Sequence, residues 1–288
     1  MIELESIYVW TSGMRLSYKE LSSSAQNFAK LTGVTVKEFG LMLDEIREDY
    51  CRWEDSKSPV GRHSNFGGLE DKLLCLLIYY RTYITHTFLG YLFGVHNSNV
   101  CRMFKVLEPM VAKNLGIKKD RRLNQDQVMA ILSDVTEINT QRPKYQQKHY
   151  YSGKKKRHTL KSEISILENG RIINVSKVYR GRVHDFAIRK KQKSLPTNAV
   201  KIVDSGYQGL QKIASNVWLP FKRSKKRPLS SEQKQHNKAL AQLRVKIEHK
   251  IAQFKTFKIL ADKYRNFQKK LNLRLNIIAG IVNIRHGF

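Results

Sequence analysis

The chain has 288 residues, and its 53 Lys and Arg against 24 Asp and Glu give a formal net charge of +29 at pH 7. Such an excess of positive charge predicts a polyanionic partner, with nucleic acid favoured over an anionic membrane. The longest apolar run, residues 73–80, is too short to span a bilayer.

The expected location is the cytoplasm, in association with the nucleoid. No charged segment followed by an apolar one opens the chain, so we do not expect export. Cys51, Cys75 and Cys101 lack the spacing of a zinc or redox motif. We interpret them as reduced thiols, which are typical of the cytoplasm.

The positive charge is concentrated in residues 134–288, which hold 36 of the 53 basic residues and 9 of the 24 acidic ones. Each carboxylate weakens the attraction of this region for phosphate, so each needs an explanation. We expect most of them to contribute to solubility or to form ion pairs with basic side chains on the same helix. The nine acids are Asp134, Glu137, Glu163, Glu168, Asp185, Asp204, Glu232, Glu248 and Asp262.

The first helix with a clear start signal is predicted over residues 36–53. Thr35 and Glu38 have the spacing of a capping box, and apolar residues follow at helical intervals. Residues 54–68 are rich in Ser, Gly and Pro, which indicates a linker. We predict an N-terminal helical region over residues 1–68 and assign no chemistry to it.

Three further helices are predicted at residues 69–82, 86–92 and 97–108, with a turn at Gly94-Val95. This pattern resembles a helix-turn-helix, although an ordinary three-helix bundle has the same kinds of turn residue between its helices. The absence of acids from the outward side of the third helix favours DNA binding. Because His is a poor N-cap, we expect that Asn97 could replace His96 in that role. The outward residues are Asn97, Ser98, Asn99, Arg102 and Lys105.

From about residue 127 the hydrophobic period changes to that of strands. An apolar strand is predicted to end at Asp134, a hairpin to turn at residues 168–170, and a buried strand to end at Asp204. Long helices follow, so the fold class is α/β with antiparallel and parallel pairs. Two basic clusters, at residues 154–157 and 221–228, lie in predicted loops.

The two aspartates at strand ends are candidate metal ligands. Functional groups in α/β sheets collect at the carboxyl ends of strands, and two neighbouring carboxylates repel one another unless a cation joins them. Mg²⁺ suits carboxylate and phosphate oxygens. The alternative is structural, with Asp204 as a helix N-cap and Asp134 in a turn. For Asp185 the alternatives are the metal site and a cap on the helix that follows it, and we favour the cap.

A third acid, Glu248, lies on a predicted helix with Arg244 and Lys255. At about 100° per residue these three polar groups share one narrow stripe. The apolar residues of the same helix form an adjacent face that can pack on the sheet. The helix therefore offers Glu248 to the strand ends, although a solvated charged helix is the alternative.

The order Asp134, Asp204, Glu248 resembles that of DDE transposases from bacterial insertion sequences of family five. The resemblance extends to "SDVTEINTQRP", "YYSGKKKRHTLK", "GRVHDF" and "VDSGYQG", and to Arg-x3-Glu-x6-Lys at residues 244–255. The chain departs from the related signature at Ala241, where a Tyr is expected, so any contact from that Tyr is absent or supplied elsewhere.

This resemblance implies an RNase H-like catalytic domain, a mixed sheet flanked by helices, over residues 126–288. A helix-turn-helix domain over residues 69–125 precedes it. Asp134, Asp204 and Glu248 would bind two Mg²⁺ ions, with Mn²⁺ as a substitute, for phosphodiester hydrolysis and strand transfer. The implied partner is double-stranded DNA, both terminal inverted repeats and target, with the protein acting as a homodimer or higher oligomer.

Two kinds of DNA contact are expected. Side chains of the second helix of the helix-turn-helix would contact bases, whereas basic loop and helix residues would contact phosphates. Arg244 and Lys255 would lie near the scissile phosphate. The full predicted set is Asn97, Ser98, Arg102, Lys105, Lys154, Lys155, Lys156, Arg157, Lys222, Arg223, Lys225, Lys226, Arg244 and Lys255.

Other functions fit parts of the sequence. A sequence-specific DNA-binding regulator would have the same helix-turn-helix and basic surface with structural acids. A domesticated or repair nuclease of RNase H-like fold would use its carboxylates similarly. A tyrosine recombinase would not need Asp204 at a strand end, and zinc is not expected because no His/Cys pair has ligand spacing.

Overall fold

The structure, a computed structural model, describes residues 15–58, 66–117, 129–192, 194–223 and 228–288. Its contacts divide the chain into a helical unit, residues 1–116 with 256–259, and an α/β unit, residues 117–255 with 260–288. No helix within the described ranges is long and apolar enough to cross a membrane.

The helical unit begins with three helices that pack around an aromatic core. The Thr35 hydroxyl accepts the Glu38 amide at 3.2 Å, and the Glu38 carboxylate accepts the Thr35 amide at 2.7 Å. This reciprocal capping box confirms the predicted helix start. The helices are α1 (Tyr18–Ser22), α2 (Ala25–Thr32) and α3 (Val36–Asp55). Part of the predicted linker, residues 59–65, lies outside the described residues.

Helices α4 (Leu69–Thr82), α5 (His86–Leu92) and α6 (Asn97–Asn114) follow. The prediction that Asn97 caps α6 was wrong, because the His96 ring nitrogen Nδ1 accepts the Ser98 amide at 3.3 Å. Helix α6 also continues past its predicted end at residue 108. Pro109 is exposed, and the buried residues on either side of it hold the helix together.

The α5–α6 turn requires glycine at position 90. The Val95 amide donates to the Gly90 carbonyl at 2.8 Å, which brings the two backbones together. A Cβ at Gly90 would lie 2.4 Å from the Val95 carbonyl oxygen, so any larger residue would force the turn apart. The turn therefore depends on backbone contact between the helices.

The α/β unit has a mixed sheet. Strands β1 (Ala130–Asn139) and β3 (Arg157–Leu167) pair antiparallel, and β1, β6 (Val200–Val203) and β7 (Val217–Trp218) pair in parallel. The other edge of β3 pairs with β2 (Tyr151–Ser152), β4 (Ile172–Val175) and β5 (Tyr179–Arg180). The predicted hairpin at residues 168–170 is confirmed by β3 and β4.

The helices of this unit are α7 (Gln147–Tyr150), α8 (Asp185–Lys190), α9 (Ser231–Lys255), α10 (Lys258–Ala261) and α11 (Leu271–Ile284). Helix α11 is buried along most of its length because most of its side chains are apolar. The predicted apolar face of α9 is confirmed, since Leu240, Ile247 and Phe254 are buried. Helix α10 spans the division between the two units.

The register of β1 against β6 places the two aspartates side by side. Ser133 pairs with Val203 at the end of the parallel ladder, so Asp134 and Asp204 are the next residues on neighbouring strands. The expectation that the strand ends at Asp134 was wrong. It continues to Asn139 because β3 pairs with it after β6 has turned away.

Candidate active site

Each aspartate is oriented by a backbone amide next to it in the chain. The Asp204 carboxylate accepts the Ser205 amide at 2.5 Å and caps the 3₁₀ turn Ser205–Tyr207. The Asp134 carboxylate accepts the Val135 amide at 2.7 Å. In both cases the amide donates to Oδ1, and Oδ2 of Asp134 lies 3.7 Å from the Arg244 guanidinium.

The guanidinium of Arg244 joins the two aspartates to Glu248. It lies 3.7 Å from Asp134, 3.4 Å from Asp204 and 3.8 Å from Glu248. Its side chain is 16% exposed, whereas that of Glu248 is 57% exposed. The three carboxylates from β1, β6 and α9 therefore surround one cation at the border of solvent.

Burial raises the pKa of Asp134 to about 6, and the negative charges of Asp204 and Asp185 add to this effect. The Val135 amide and the Arg244 guanidinium act in the opposite direction but do not cancel it. A further cation beside Asp134 would favour its ionised form, which burial disfavours.

The donor set fits a hard divalent cation, because carboxylate oxygens are its preferred protein ligands. Within the described ranges, no three His, Cys, Asp or Glu side chains are already gathered closely enough to hold a metal ion. The acids are instead spaced around Arg244, whose Nε is buried without a hydrogen-bond partner. Asp134, Asp204 and Glu248 are the residues that would hold the metal.

A buried polar network supports the turn that carries Asp204. Glu163 on β3 is fully buried, accepts the Arg189 guanidinium at 2.7 Å and accepts the Tyr207 hydroxyl at 3.1 Å. The network ties α8 and the Asp204 turn to the sheet. Sequence reasoning missed Glu163, although a Glu inside the apolar run of an alternating strand was the available signal.

Asp185 does not cap α8 as expected. The N-cap is His184, and the Asp185 carboxylate accepts the Lys161 ammonium at 3.0 Å. Asp185 lies beside the Asp204 turn, since a Cβ at Gly206 would meet its carboxylate at 2.7 Å. Lys161 also lies 3.7 Å from Glu137, so both acids share a lysine outside the Arg244 cluster.

Lys255 ends α9 next to β1. Its ammonium donates to the Glu137 carbonyl at 2.9 Å. Burial lowers the pKa of Lys255, and the charge of Lys155 adds to this. The hydrogen bond fixes the C-terminal end of α9 against the strand that contains Asp134, and a phosphate contact by Lys255 stays a prediction.

The helix α6 residues predicted to contact DNA lie in its N-terminal half. Asn97, Arg102 and Lys105 are exposed, and Ser98 is half-buried with its hydroxyl 2.9 Å from the His96 ring. Arg102 donates to the Asn99 side chain at 3.0 Å. Ser98, Arg102 and Lys105 follow at intervals of four and three residues, so they share one face of the helix.

The basic loops are accessible where the structure describes them. Lys154, Lys155, Lys156 and Arg157 are exposed in the turn between β2 and β3, with Lys156 in the left-handed conformation. Lys222 and Arg223 are exposed as well. Lys225 and Lys226 lie outside the described residues.

Comparison with known proteins shows the family to which the chain belongs. Residues 133–284 match the family described as DDE superfamily endonuclease, and residues 68–117 match the helix-turn-helix of that superfamily. The chain belongs to the DDE superfamily endonucleases. Enzymes of this class cleave DNA and generally depend on a divalent metal.

Two relatives extend the match over most of the chain. A protein of Microchaete diplosiphon described as a probable transposase for insertion sequence element IS702 is 34% identical, over 90% of this chain and 94% of its own length. A protein of Streptomyces albus G, named as a candidate transposase for insertion sequence element IS112, is 26% identical over 81% and 85%. No solved structure gives a significant match. The resemblance to insertion-sequence DDE transposases is confirmed.

Proposed function

We propose that this protein is a DNA transposase that binds the ends of a mobile element, hydrolyses a phosphodiester bond there and transfers the freed strand into target DNA. The observation that supports this most is the convergence of Asp134, Asp204 and Glu248 on the Arg244 guanidinium. A protein that only bound DNA would have no use for three carboxylates facing one another in its most basic region.

The proposed division of the chain is an N-terminal helical region (1–68), a helix-turn-helix domain (69–125) and an RNase H-like catalytic domain (126–288). The match to the helix-turn-helix family ends at residue 117, and the main segment of the helical unit ends at residue 116. The RNase H-like assignment is supported by a sheet whose antiparallel β3–β1 pair is extended by parallel β6 and β7.

The proposed cofactor is Mg²⁺, with Mn²⁺ as a substitute, held by Asp134, Asp204 and Glu248. When bound, it would supply an activated water and stabilise the leaving 3′ oxygen. The chain's own groups keep this arrangement in place. The Ser205 and Val135 amides orient the two aspartates, and Arg244, now between the acids, is positioned to bind the scissile phosphate.

The proposed partners are the terminal inverted repeats and target DNA, contacted by a homodimer or higher oligomer at the nucleoid. The face of α6 with Ser98, Arg102 and Lys105 would enter the major groove, because an exposed helix face without acids fits it. The basic turn at residues 154–157 and the segment at 221–228 would contact backbone phosphates regardless of sequence.

A plasmid assay tests this proposal. Purified full-length protein is incubated with a supercoiled plasmid containing the genomic DNA on both sides of its gene. We expect strand breaks at the two ends of the element in Mg²⁺ and none in EDTA. Specific binding to these ends without cleavage in Mg²⁺ or Mn²⁺ would instead identify a DNA-binding regulator.

A further inference from the structure

A basic cavity of about 280 Å³ lies at the end of β1, lined by Asn139, Thr140, Arg142, Arg157, His158 and Lys263. It is separate from the carboxylate cluster, since Asn139 is five residues beyond Asp134 on an extended strand. At about 3.3 Å per residue this separates their backbones by roughly 16 Å. The cavity is near the lower end of the ~300–1,000 Å³ typical of small-molecule sites, a size suited to one nucleotide.

The walls of the cavity are fixed by main-chain hydrogen bonds between three segments. The Thr140 amide donates to the His158 carbonyl at 3.0 Å, and the Tyr264 amide donates to the Asn139 carbonyl at 2.8 Å. Tyr264 is buried and pairs with Thr140 as an additional bridge of the sheet. The lining side chains therefore extend from a rigid frame, which lowers the entropic cost of binding a ligand.

The charge of the cavity is not compensated within the described part of the chain. Among the described residues, no acidic side chain forms an ion pair with Arg142, Arg157 or Lys263. The ion pairs described in the α/β unit involve Lys161, Arg189 and Arg244 instead. Three like charges around one cavity repel one another until an anion neutralises them. This arrangement favours a ligand with a negative charge.

The two arginines that line the cavity carry the group best suited to bind a phosphate. The Arg142 Nε donates to the Gln147 side chain at 2.8 Å, and the Arg157 Nε donates to the Lys155 carbonyl at 3.2 Å. Both bonds use Nε, so neither of them occupies the terminal nitrogens of the guanidinium. Such nitrogens bind phosphate oxygens in pairs.

An aromatic ring lies beside the cations. Tyr151 is 45% exposed and packs edge to face against the His158 ring, with their centroids 5.9 Å apart. An exposed ring next to a cationic cavity is how proteins bind a nucleotide of a single strand, with the base stacked and the phosphate neutralised. The neighbouring residues 154–157 add further positive charge.

We propose that this cavity binds one nucleotide of an unpaired DNA strand, its phosphate held by Arg142, Arg157 and Lys263 and its base stacked on Tyr151. The inference rests on the proposed function, because the strand that is freed at an element end and transferred to target DNA is the one that this site would hold. It adds a strand-binding site distinct from both the helix-turn-helix and the carboxylate cluster, and it gives Arg157, at the end of the basic turn, a place in that site.

Salt-dependent binding tests this site. Full-length protein in EDTA, which prevents cleavage, is titrated with a fluorescent ten-nucleotide single strand at several salt concentrations. Arg142→Gln, Arg157→Gln, Lys263→Gln and the triple variant are compared with Lys212→Gln, which removes an exposed charge at the end of the 3₁₀ segment Leu210–Lys212. Thermal melting verifies that each variant is folded.

If the three cations serve one phosphate, the triple variant loses about 0.7 from the log–log salt slope, the value for a single phosphate of single-stranded DNA. A loss of about three times that amount would mean three separate phosphates on a diffuse basic surface, and an unchanged slope would mean no contact. Either result would overturn the proposal. Lys212→Gln should leave the slope within error of the wild type.

Two further measurements identify the ligand. Tyr151→Leu should weaken binding of the oligonucleotide about tenfold, whereas Tyr151→Phe should keep it, because stacking needs only the ring. Equal affinity of the Tyr151→Leu and Tyr151→Phe variants for the oligonucleotide would show that the base does not stack on Tyr151. Inorganic phosphate should compete no better than its ionic strength explains, and specific competition by it would identify a free-anion site instead. All these measurements are independent of cleavage, so a failure here is separable from a failure of the transposase proposal.

Discussion

The guanidinium of Arg244 lies 3.4 Å from the carboxylate of Asp204, although the two residues are 40 positions apart. Asp134 and Glu248 contact the same guanidinium. Arg244 is thus the cation that keeps the three acids together when no metal is bound. This relationship makes Arg244 a stabilising residue as well as a candidate phosphate ligand.

Replacing Arg244 with Gln should lower the free energy of unfolding in EDTA by about 1–3 kcal/mol, because the two half-buried aspartates then repel one another, and the exposed Glu248, without a cation. Added Mg²⁺ should stabilise this variant more than the wild type, since the metal no longer competes with the guanidinium. Chemical denaturation with and without Mg²⁺ measures both effects. Lys238→Gln, an exposed charge on the same helix, is the control, and equal stability of Arg244→Gln and wild type in EDTA would contradict the assigned role.

Replacing Tyr207 with Phe should destabilise the α/β unit by about 1–3 kcal/mol, because Glu163 is buried and loses a hydrogen bond to its charged carboxylate. The Asp204 turn would then be held less firmly, so the cleavage rate should fall while DNA affinity stays constant. Denaturation and single-turnover cleavage measure the two effects. Tyr179→Phe changes a half-buried hydroxyl that accepts a hydrogen bond from Gln192 and should affect cleavage little.

The stability of the helical unit should depend on pH through Asp49. Its carboxylate accepts hydrogen bonds from Lys113 at 2.7 Å and Asn114 at 2.8 Å, and these bonds lower the pKa of Asp49 from 3.8. A lowered pKa means that the stabilisation is complete above the unfolded value and disappears as pH falls through the folded one.

Asp49→Asn should therefore unfold at lower denaturant concentration than the wild type at pH 7, and the difference should shrink below about pH 4. Far-ultraviolet circular dichroism of the full chain in urea, repeated at each pH, measures the two midpoints. A difference that stays constant from pH 7 to pH 3 would show that the carboxylate charge does not contribute to the attachment of α3 to α6.

The two proposed DNA surfaces should respond differently to mutation. Arg102→Ala on α6 should reduce discrimination between the element end and a scrambled sequence by about 1–3 kcal/mol. Lys154→Gln in the basic turn should weaken binding to both duplexes equally and lower the log–log salt slope by about 0.9. Competition binding at three salt concentrations separates these outcomes, and the reverse pattern would show that the surfaces were assigned the wrong way round.

Features set by neighbours in the chain could be predicted from the sequence. The Thr35–Glu38 capping box and the hairpin at residues 168–170 depend on residues a few positions apart, and both are present. The apolar face of α9 follows from helical spacing alone. Chain order and residue type were also enough to indicate the family.

Features that depend on distant contacts could not be predicted in the same way. The end of β1 depends on β3, which keeps pairing with it beyond Asp134. The use of Glu163 as a buried anchor depends on Arg189 and Tyr207, which follow it by 26 and 44 positions. His96 caps α6 because its ring faces the Ser98 amide, a local geometry that average capping preferences do not predict.

The most direct test of the central claim is the Mg²⁺-dependent cleavage of an element-end duplex by the wild type, Asp134→Asn, Asp204→Asn, Glu248→Gln and Glu232→Gln. Glu232 is an exposed acid in the first turn of the same helix as Glu248 and is the matched control. We predict that the first three variants bind the duplex at least as tightly as the wild type but do not cut it, and that Glu232→Gln cuts normally. Cleavage by Glu248→Gln at the wild-type rate would contradict the assignment of these three carboxylates as the catalytic site.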